Sequence, residues 1–164
     1  MAVKDILLLG NPMLYQKSEE VLYDELLSIK SDIDNLHDTL FDFKHRNGFG
    51  RAIAAPQIGV MKRIIYMYID KPVVFINPIM DQFSLEKFEV WDDCMSFPNL
   101  LVKVERYKNC RIRYKDINWN DCEMLLNADL SELIQHEYDH LDGILAVQRA
   151  KDQYSFAIKG QETR

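Results

Sequence analysis

Apolar residues follow two different periodicities along this chain. From Asp24 to about His45, Leu26, Ile29, Ile33, Leu36, Leu40 and Phe43 recur at steps of three and four. That spacing predicts a long amphipathic helix. Lys30, Asp34, His37 and Asp38 lie on its polar face, and His37 and His45 are expected as solvated side chains. Before it, residues 1–22 read as an irregular lead-in through Gly10-Asn11-Pro12; after it, Asn47-Gly48-Phe49-Gly50 breaks the helix. Arg51 to Gly59 is small and apolar apart from Gln57. Pro56 argues against a regular central strand there, and small side chains let another element or a ligand come close.

Beyond Gly59 the pattern shifts to period two or to short apolar runs. Strands are predicted at Arg63 to Ile69, at Val73 to Ile76 (ended by Asn77-Pro78), and at Leu85 to Trp91. Val102 to Val104, Asn109 to Tyr114 and the alternating Cys122, Met124 and Leu126 give three more. Leu130, Leu133, Ile134 and Leu141 return to helical spacing, with Asp129 as the expected cap, Glu132 completing a capping box and Gly143 as a left-handed stop. The polar tail from about Lys151 is expected to be partly disordered. The layout is an α+β domain: a long N-terminal helix, antiparallel or mixed sheets, and a second helix packed on them.

Composition narrows this picture. With 164 residues, 48% hydrophobic and 28% charged, the chain fits one soluble domain with a real core. A net charge of −6 argues against nucleic acid as the main ligand. The apolar run Ile6 to Leu9 is too short for a signal peptide core or a membrane span, so a cytoplasmic protein without a membrane partner is expected. Three cysteines, with no C-x-x-C pair, speak against a disulfide framework. Cys110 and Cys122 sit in alternating strand patterns and read as small buried hydrophobes. Cys94 does not: it lies in Trp91-Asp92-Asp93-Cys94-Met95-Ser96-Phe97-Pro98, a loop or strand end.

The second helix carries the chemistry. His136-Glu137-Tyr138-Asp139-His140 is an H-E-x-x-H pattern. Residues four apart on a helix share a face, so both imidazoles can reach one metal ion while Glu137 lies beside it. Two histidines on an acidic helix are also common as surface residues. A catalytic site of this type needs a third protein ligand and an open position for water. Cys94 and the acids near it are all plausible donors, and composition does not choose between them.

Three blocks in order give the chain a resemblance to the peptide deformylases. GRAIAAPQ (Gly50 to Gln57) is similar to the family's G-x-G-x-A-A-x-Q, DDCMS (Asp92 to Ser96) to E-G-C-L-S, and QHEYDHLDG (Gln135 to Gly143) to Q-H-E-x-D-H-L-x-G. The similarity extends from the N-terminus to about residue 150. It implies a catalytic domain over residues 1–150, with 151–164 a polar tail of the same domain. By position, Cys94, His136 and His140 are then metal ligands with water in the fourth place, and Glu137 is the general base and acid. The Gln57 amide and the Met95 backbone N–H are the oxyanion donors. The implied reaction is hydrolysis of an N-formylmethionyl peptide or nascent chain to formate and a free amine, in co-translational protein maturation, with ribosome contact left open. The implied metal in the cell is Fe(II); a thiolate with two imidazoles also suits Zn(II), Co(II) and Ni(II). Gly50, Arg51, Ala52, Asp93, Glu132 and Leu133 are expected on the substrate side.

Several of those positions depart from the family pattern. Ala52 and Asp93 replace glycines, Arg51 and Glu132 stand where family members carry aliphatic residues, and Leu101 falls where a basic residue often sits. Asp92 replaces a glutamate and is expected, with Asp139, to act behind the ligands. The departures leave two alternatives to weigh: an amidohydrolase for a different N-formyl or N-acyl substrate, and an inactive metal-binding relative.

Overall fold

A computed structural model describes residues 2–163. Helix α1 (Ile29–Asn47) follows a 3-10 turn at Tyr23–Glu25, so the apolar stripe from Leu26 begins one turn before the helix. Strand β1 (Ala52–Ala54) runs into a 3-10 turn at Ala55–Ile58 that carries Pro56. Then come β2 (Ile64–Tyr68), β3 (Pro72–Asp81), β4 (Lys87–Asp92), β5 (Leu100–Tyr107), β6 (Asn109–Lys115) and β7 (Asp121–Asn127). Helix α2 (Asp129–Leu141), a 3-10 turn at Ala146–Arg149 and β8 (Phe156–Ile158) complete the chain. No helix among the described residues is long and apolar enough to cross a membrane.

The strands form two antiparallel sheets, β1-β2-β3-β6-β7 and β4-β5-β8. The larger sheet is covered on both faces over β1, β2 and the first half of β3, while β6 and β7 leave one face to solvent. Ile53, Ile64, Tyr66 and Ile76 join Leu36, Leu40 and Phe43 of α1 in one core. Ala52, Ala54, Ile65, Met67 and Phe75 face the other way and join Ile134 and Leu141 of α2 in a second. Two-sided burial explains why β2 reads as a continuous apolar run instead of alternating. On the α2 side β1 contributes only alanines, and this is what allows the helix to pack close against it.

Several features differ from the sequence reading. β3 continues through Asn77-Pro78 as a bulge: its register with β6 shifts between Ile76 and Ile79, and Asn77 takes φ 48°. The Asn77 side chain offsets the break by bonding both the N–H and the carbonyl of Val21. Helix α2 starts at Asp129 itself, after Ala128 at φ 45°, without a side-chain cap; Glu132 is bonded elsewhere. His37 is half-buried, its Nδ1 2.5 Å from the Tyr66 hydroxyl, whereas His45 is exposed as expected. The tail is ordered: β8 pairs with β5, and Trp91 Nε1 donates to the Thr163 carbonyl.

Gly143 ends the α2 region at φ +72°, and a Cβ there would lie 2.5 Å from the Tyr15 carbonyl oxygen. Backbone cannot retreat as a flexible side chain can. Gly143→Ala is therefore expected to cost about 2 kcal/mol or more, measured as a lowered urea midpoint; an unchanged midpoint would show that the lead-in is free to move.

Candidate metal centre and its cleft

The donors of the candidate metal centre come from two local structures, the turn after β4 and helix α2. β4 ends at Asp92, and the turn that follows places Cys94, whose Sγ receives the Ser96 N–H at 3.4 Å. One helical turn of α2 separates His136 from His140, with ring centroids 5.0 Å apart. The Cys94, His136 and His140 donor atoms all lie within 4.8 Å of one another. Cys94 Sγ and His140 Nε2 are 3.4 Å apart. Tetrahedral ligands at ordinary zinc–sulfur and zinc–nitrogen bond lengths are separated by about 3.3–3.6 Å, so the donors are already near chelating distance.

The protonation pattern also suits a cation. Burial and the charge of His136 push His140, 1% exposed, well below the ordinary imidazole value. Burial depresses His136 too, but Asp92 and Cys94 outweigh it and carry His136 well above that value. The depression keeps His140 neutral, the state in which a ring nitrogen can ligate a cation. Beside it, Glu137 is buried with Oε2 unpartnered, and burial pushes its carboxyl up to about 7.

A buried network fixes the histidine. His136 Nδ1 lies 2.9 Å from Asp92 Oδ2, which leaves Nε2 for a metal. Asp92 also receives Arg106 Nη2 at 2.7 Å, and Arg106 Nη1 donates to Asp139 at 2.7 Å. Arg149 Nη2 reaches Asp139 from the far side at 2.8 Å. Burial alone would raise the Asp92 carboxyl, yet His136 and Arg106 hold it at about 2. Gln57, behind the thiol, turns Oε1 onto the Ala54 N–H (3.0 Å) and Nε2 toward Cys94 Sγ (3.7 Å) and Ser96 Oγ (3.2 Å). Its amide both stabilises its own turn and faces the site.

Comparison with known proteins decides which family builds this arrangement. The family model described as polypeptide deformylase matches residues 3–155. The chain belongs to the peptide deformylase family. A peptide deformylase of Pseudothermotoga lettingae is 38% identical over 157 residues, covering 96% of this chain and 88% of that one. The crystal structure of the Thermotoga maritima peptide deformylase superposes with TM-score 0.85 at 27% identity, covering 93% of this chain and 100% of that one. A class I type b peptide deformylase from Acinetobacter baumannii, crystallised with Met-Ala-Ser, gives TM-score 0.82 at 28% identity, covering 90% and 99%.

The deformylase cleft holds about 310 Å³ and ends at Cys94, His136 and Glu137. Gly50, Arg51, Ala52, Asp93, Glu132 and Leu133 all line it, as does Met95. Gln57 and His140 sit one layer deeper, behind the thiol. Arg51 Nη2 meets Glu132 Oε1 at 3.2 Å. Burial raises the Glu132 carboxyl to about 7, with Asp92 adding to the shift and Arg51 opposing it. Asp93 is also raised by burial, with Lys159 from the tail opposing.

Sequence reasoning missed Arg106, Arg149 and Ser96. For Arg106 a signal existed. Val102, Val104 and Arg106 are the inward row of β5, and a charge at the third position of a buried apolar row needs a buried counter-charge. Arg149 and Ser96 had no comparable signal.

Asp92 yields a pH prediction. Its folded pKa lies below the ordinary 3.8, so its contribution is fully present above that value and is lost as pH falls from about 4 toward 2. The difference corresponds to about 2 kcal/mol. In denaturant titrations of metal-free protein, Asp92→Asn is expected to be less stable by that order at pH 7 and to converge with the parent near pH 2. A pH-independent gap would mean that the asparagine fails for packing reasons.

Proposed function

We propose that the chain is a metal-dependent hydrolase that removes the formyl group from the amino terminus of nascent peptides, releasing formate. The observation that carries this reading is a thiol and two imidazoles converging at the end of a cleft that also presents the buried Glu137 carboxyl. When bound by Cys94, His136 and His140, a divalent ion would lower the pKa of water and polarise the formyl carbonyl.

The chain's own groups handle protons and charge. Glu137 takes the proton that water loses as it adds to the formyl carbon, then gives it to the departing amine nitrogen as the C–N bond breaks. Burial, which raises this carboxyl above its ordinary value, favours the proton-carrying state between the two steps. Gln57 Nε2 and the Met95 N–H donate to the oxygen that becomes negative in between. Asp92 and Arg106 fix the His136 ring, so its Nε2 is the nitrogen offered. The A. baumannii relative crystallised with Met-Ala-Ser supports a peptide with an amino-terminal methionine in this cleft. The intact Glu137 and Gln57 favour an active enzyme over an inactive relative, since binding alone requires neither. Action on nascent chains fits an enzyme of the cytoplasm.

With metal-loaded protein and formyl-Met-Ala-Ser, formate release is expected. Glu137→Gln is expected to lower kcat by at least about a hundredfold while metal content per chain stays the same. Unchanged turnover would remove Glu137 from the mechanism.

Fe(II) is the proposed metal in the cell on the strength of the family resemblance; the thiolate and two imidazoles accept it, as they accept Zn(II), Co(II) or Ni(II). In air, activity of the Fe(II) form is expected to decay while the Ni(II) form persists, and equal lifetimes would count against iron.

A further inference from the structure

A second cavity lies at the far end of α2 and shares no wall residue with the metal-end cleft. It holds about 400 Å³, within the range of small-molecule sites, between the lead-in, the start of β2, the bulge of β3 and the last turn of α2. Two of its wall residues are more than nine-tenths buried and keep donors that nothing in the fold uses. Ser18 is 4% exposed; its backbone N–H donates to the Leu141 carbonyl, but its hydroxyl has no partner among the described residues. Arg63 is 8% exposed, and its Nη1 donates to the Leu141 carbonyl at 3.0 Å and to Asp142 Oδ1 at 2.9 Å. The opposite edge of the guanidinium, Nε–H and Nη2–H, bonds no described residue.

Backbone fixes these donors in place. Glu19 bridges Lys62, the Arg63 N–H donates to the Glu19 carbonyl, and the Asn77 N–H donates to the Arg63 carbonyl. The guanidinium carbon lies 5.5 Å from the Tyr138 ring centroid, which sets its plane. Two parallel N–H groups on one guanidinium edge match the two oxygens of a carboxylate, and a hydroxyl beside them adds a third donor. The cavity also carries opposite charge. Lys17 and Arg63 line it together with Glu20 and Asp142. Asp142 is paired with Arg63. Lys62, which donates to the Glu20 carbonyl, pairs its charge with Glu19 and Glu25, so the Glu20 carboxylate has no ion pair among the described residues. A dianion would be set against Glu20 and Asp142. A ligand with one carboxylate and one ammonium suits both signs.

We propose that this cavity binds a free α-amino acid. Its carboxylate receives the Nε–H and Nη2–H of Arg63 and the Ser18 hydroxyl, and its ammonium faces Glu20. Ser18 and Arg63 already meet at the Leu141 carbonyl, so the occupant joins the lead-in and β2 to the end of α2. It stabilises the folded chain by binding it and takes no part in the hydrolysis.

The test is calorimetric titration and thermal unfolding of the metal-loaded protein with alanine, acetate, alaninamide and inorganic phosphate. Alanine is expected to bind with a dissociation constant of about 1 mM or below and to raise the unfolding midpoint saturably. Acetate, which lacks the ammonium, is expected to bind about tenfold more weakly, and alaninamide and phosphate not to saturate. Ser18→Ala is expected to weaken alanine about tenfold while leaving the ligand-free midpoint unchanged or higher, because the hydroxyl removed has no partner to lose. Glu20→Gln is expected to bring alanine down to the level of acetate. No saturation by alanine at about 10 mM, an equal response to alaninamide, or tighter binding of phosphate overturns the proposal. So does alanine binding undiminished in both variants, which would put the ligand elsewhere, the metal end included. None of these readouts is formate release, so this proposal and the deformylase reading fall separately.

Discussion

Arg106 is the residue on which the rest of the site depends. Its guanidinium lies in the interior between Asp92 at the end of β4 and Asp139 on α2, and both carboxylates converge on it. It therefore joins the small sheet to the helix that carries both imidazoles. Isolated, it would be a costly buried charge. Two carboxylates offset its charge, His136 shares Asp92 Oδ2 with it, and Arg149 reaches Asp139 Oδ1, although Arg106 Nε itself is buried without a partner. The arrangement adds direction more than stability. An apolar replacement would pack, but nothing would then set the rotation of the His136 ring or the position of the loop bearing Cys94 relative to α2.

Around this joint the fold divides its labour. The large sheet is a rigid wall between two helices, and the alanines of β1 bring α2 close on one face. The small sheet supplies the Cys94 loop and the inward row that ends in Arg106. The cleft opens where the two sheets meet across α2. One wall is therefore an edge strand with its preceding loop, and the other is a helix surface. Chemistry sits at the deep end, with the Arg51–Glu132 pair farther along.

What was legible in the sequence followed the strength of local signals. The stripe from Ile29 to Phe43 and the alternation at Cys122, Met124 and Leu126 were readable because one buried face imposes one period. The two imidazoles were readable from their spacing on a helix, whereas Cys94 was singled out from the acids beside it only by the resemblance to the family. The continuation of β3 past Pro78 was not, because a bulge and a long-range bond from Asn77 to Val21 offset the local penalty. Glu132 suited a capping box by position, but a partner 81 residues away took its carboxylate. His37 read as solvated because nothing in its own helix reveals the Tyr66 hydroxyl on the sheet below. In each case a distant partner overrode a local preference.

Two backbone hydrogen bonds near the start of the chain have a consequence for how the site is assembled. The Leu7 N–H donates to the Gln57 carbonyl and the Leu9 N–H to the Ser96 carbonyl. The lead-in is thus a brace across two site loops, and the imidazoles arrive only with residues 136 and 140. The sequence separations are long, so closing the site carries a large loop-closure cost. A chain emerging from its amino end exposes Cys94 well before α2 exists to cover it. During that interval the cysteine is an ordinary accessible thiol, open to oxidation and to stray metal ions. The finished protein keeps it buried under the helix that supplies its partners.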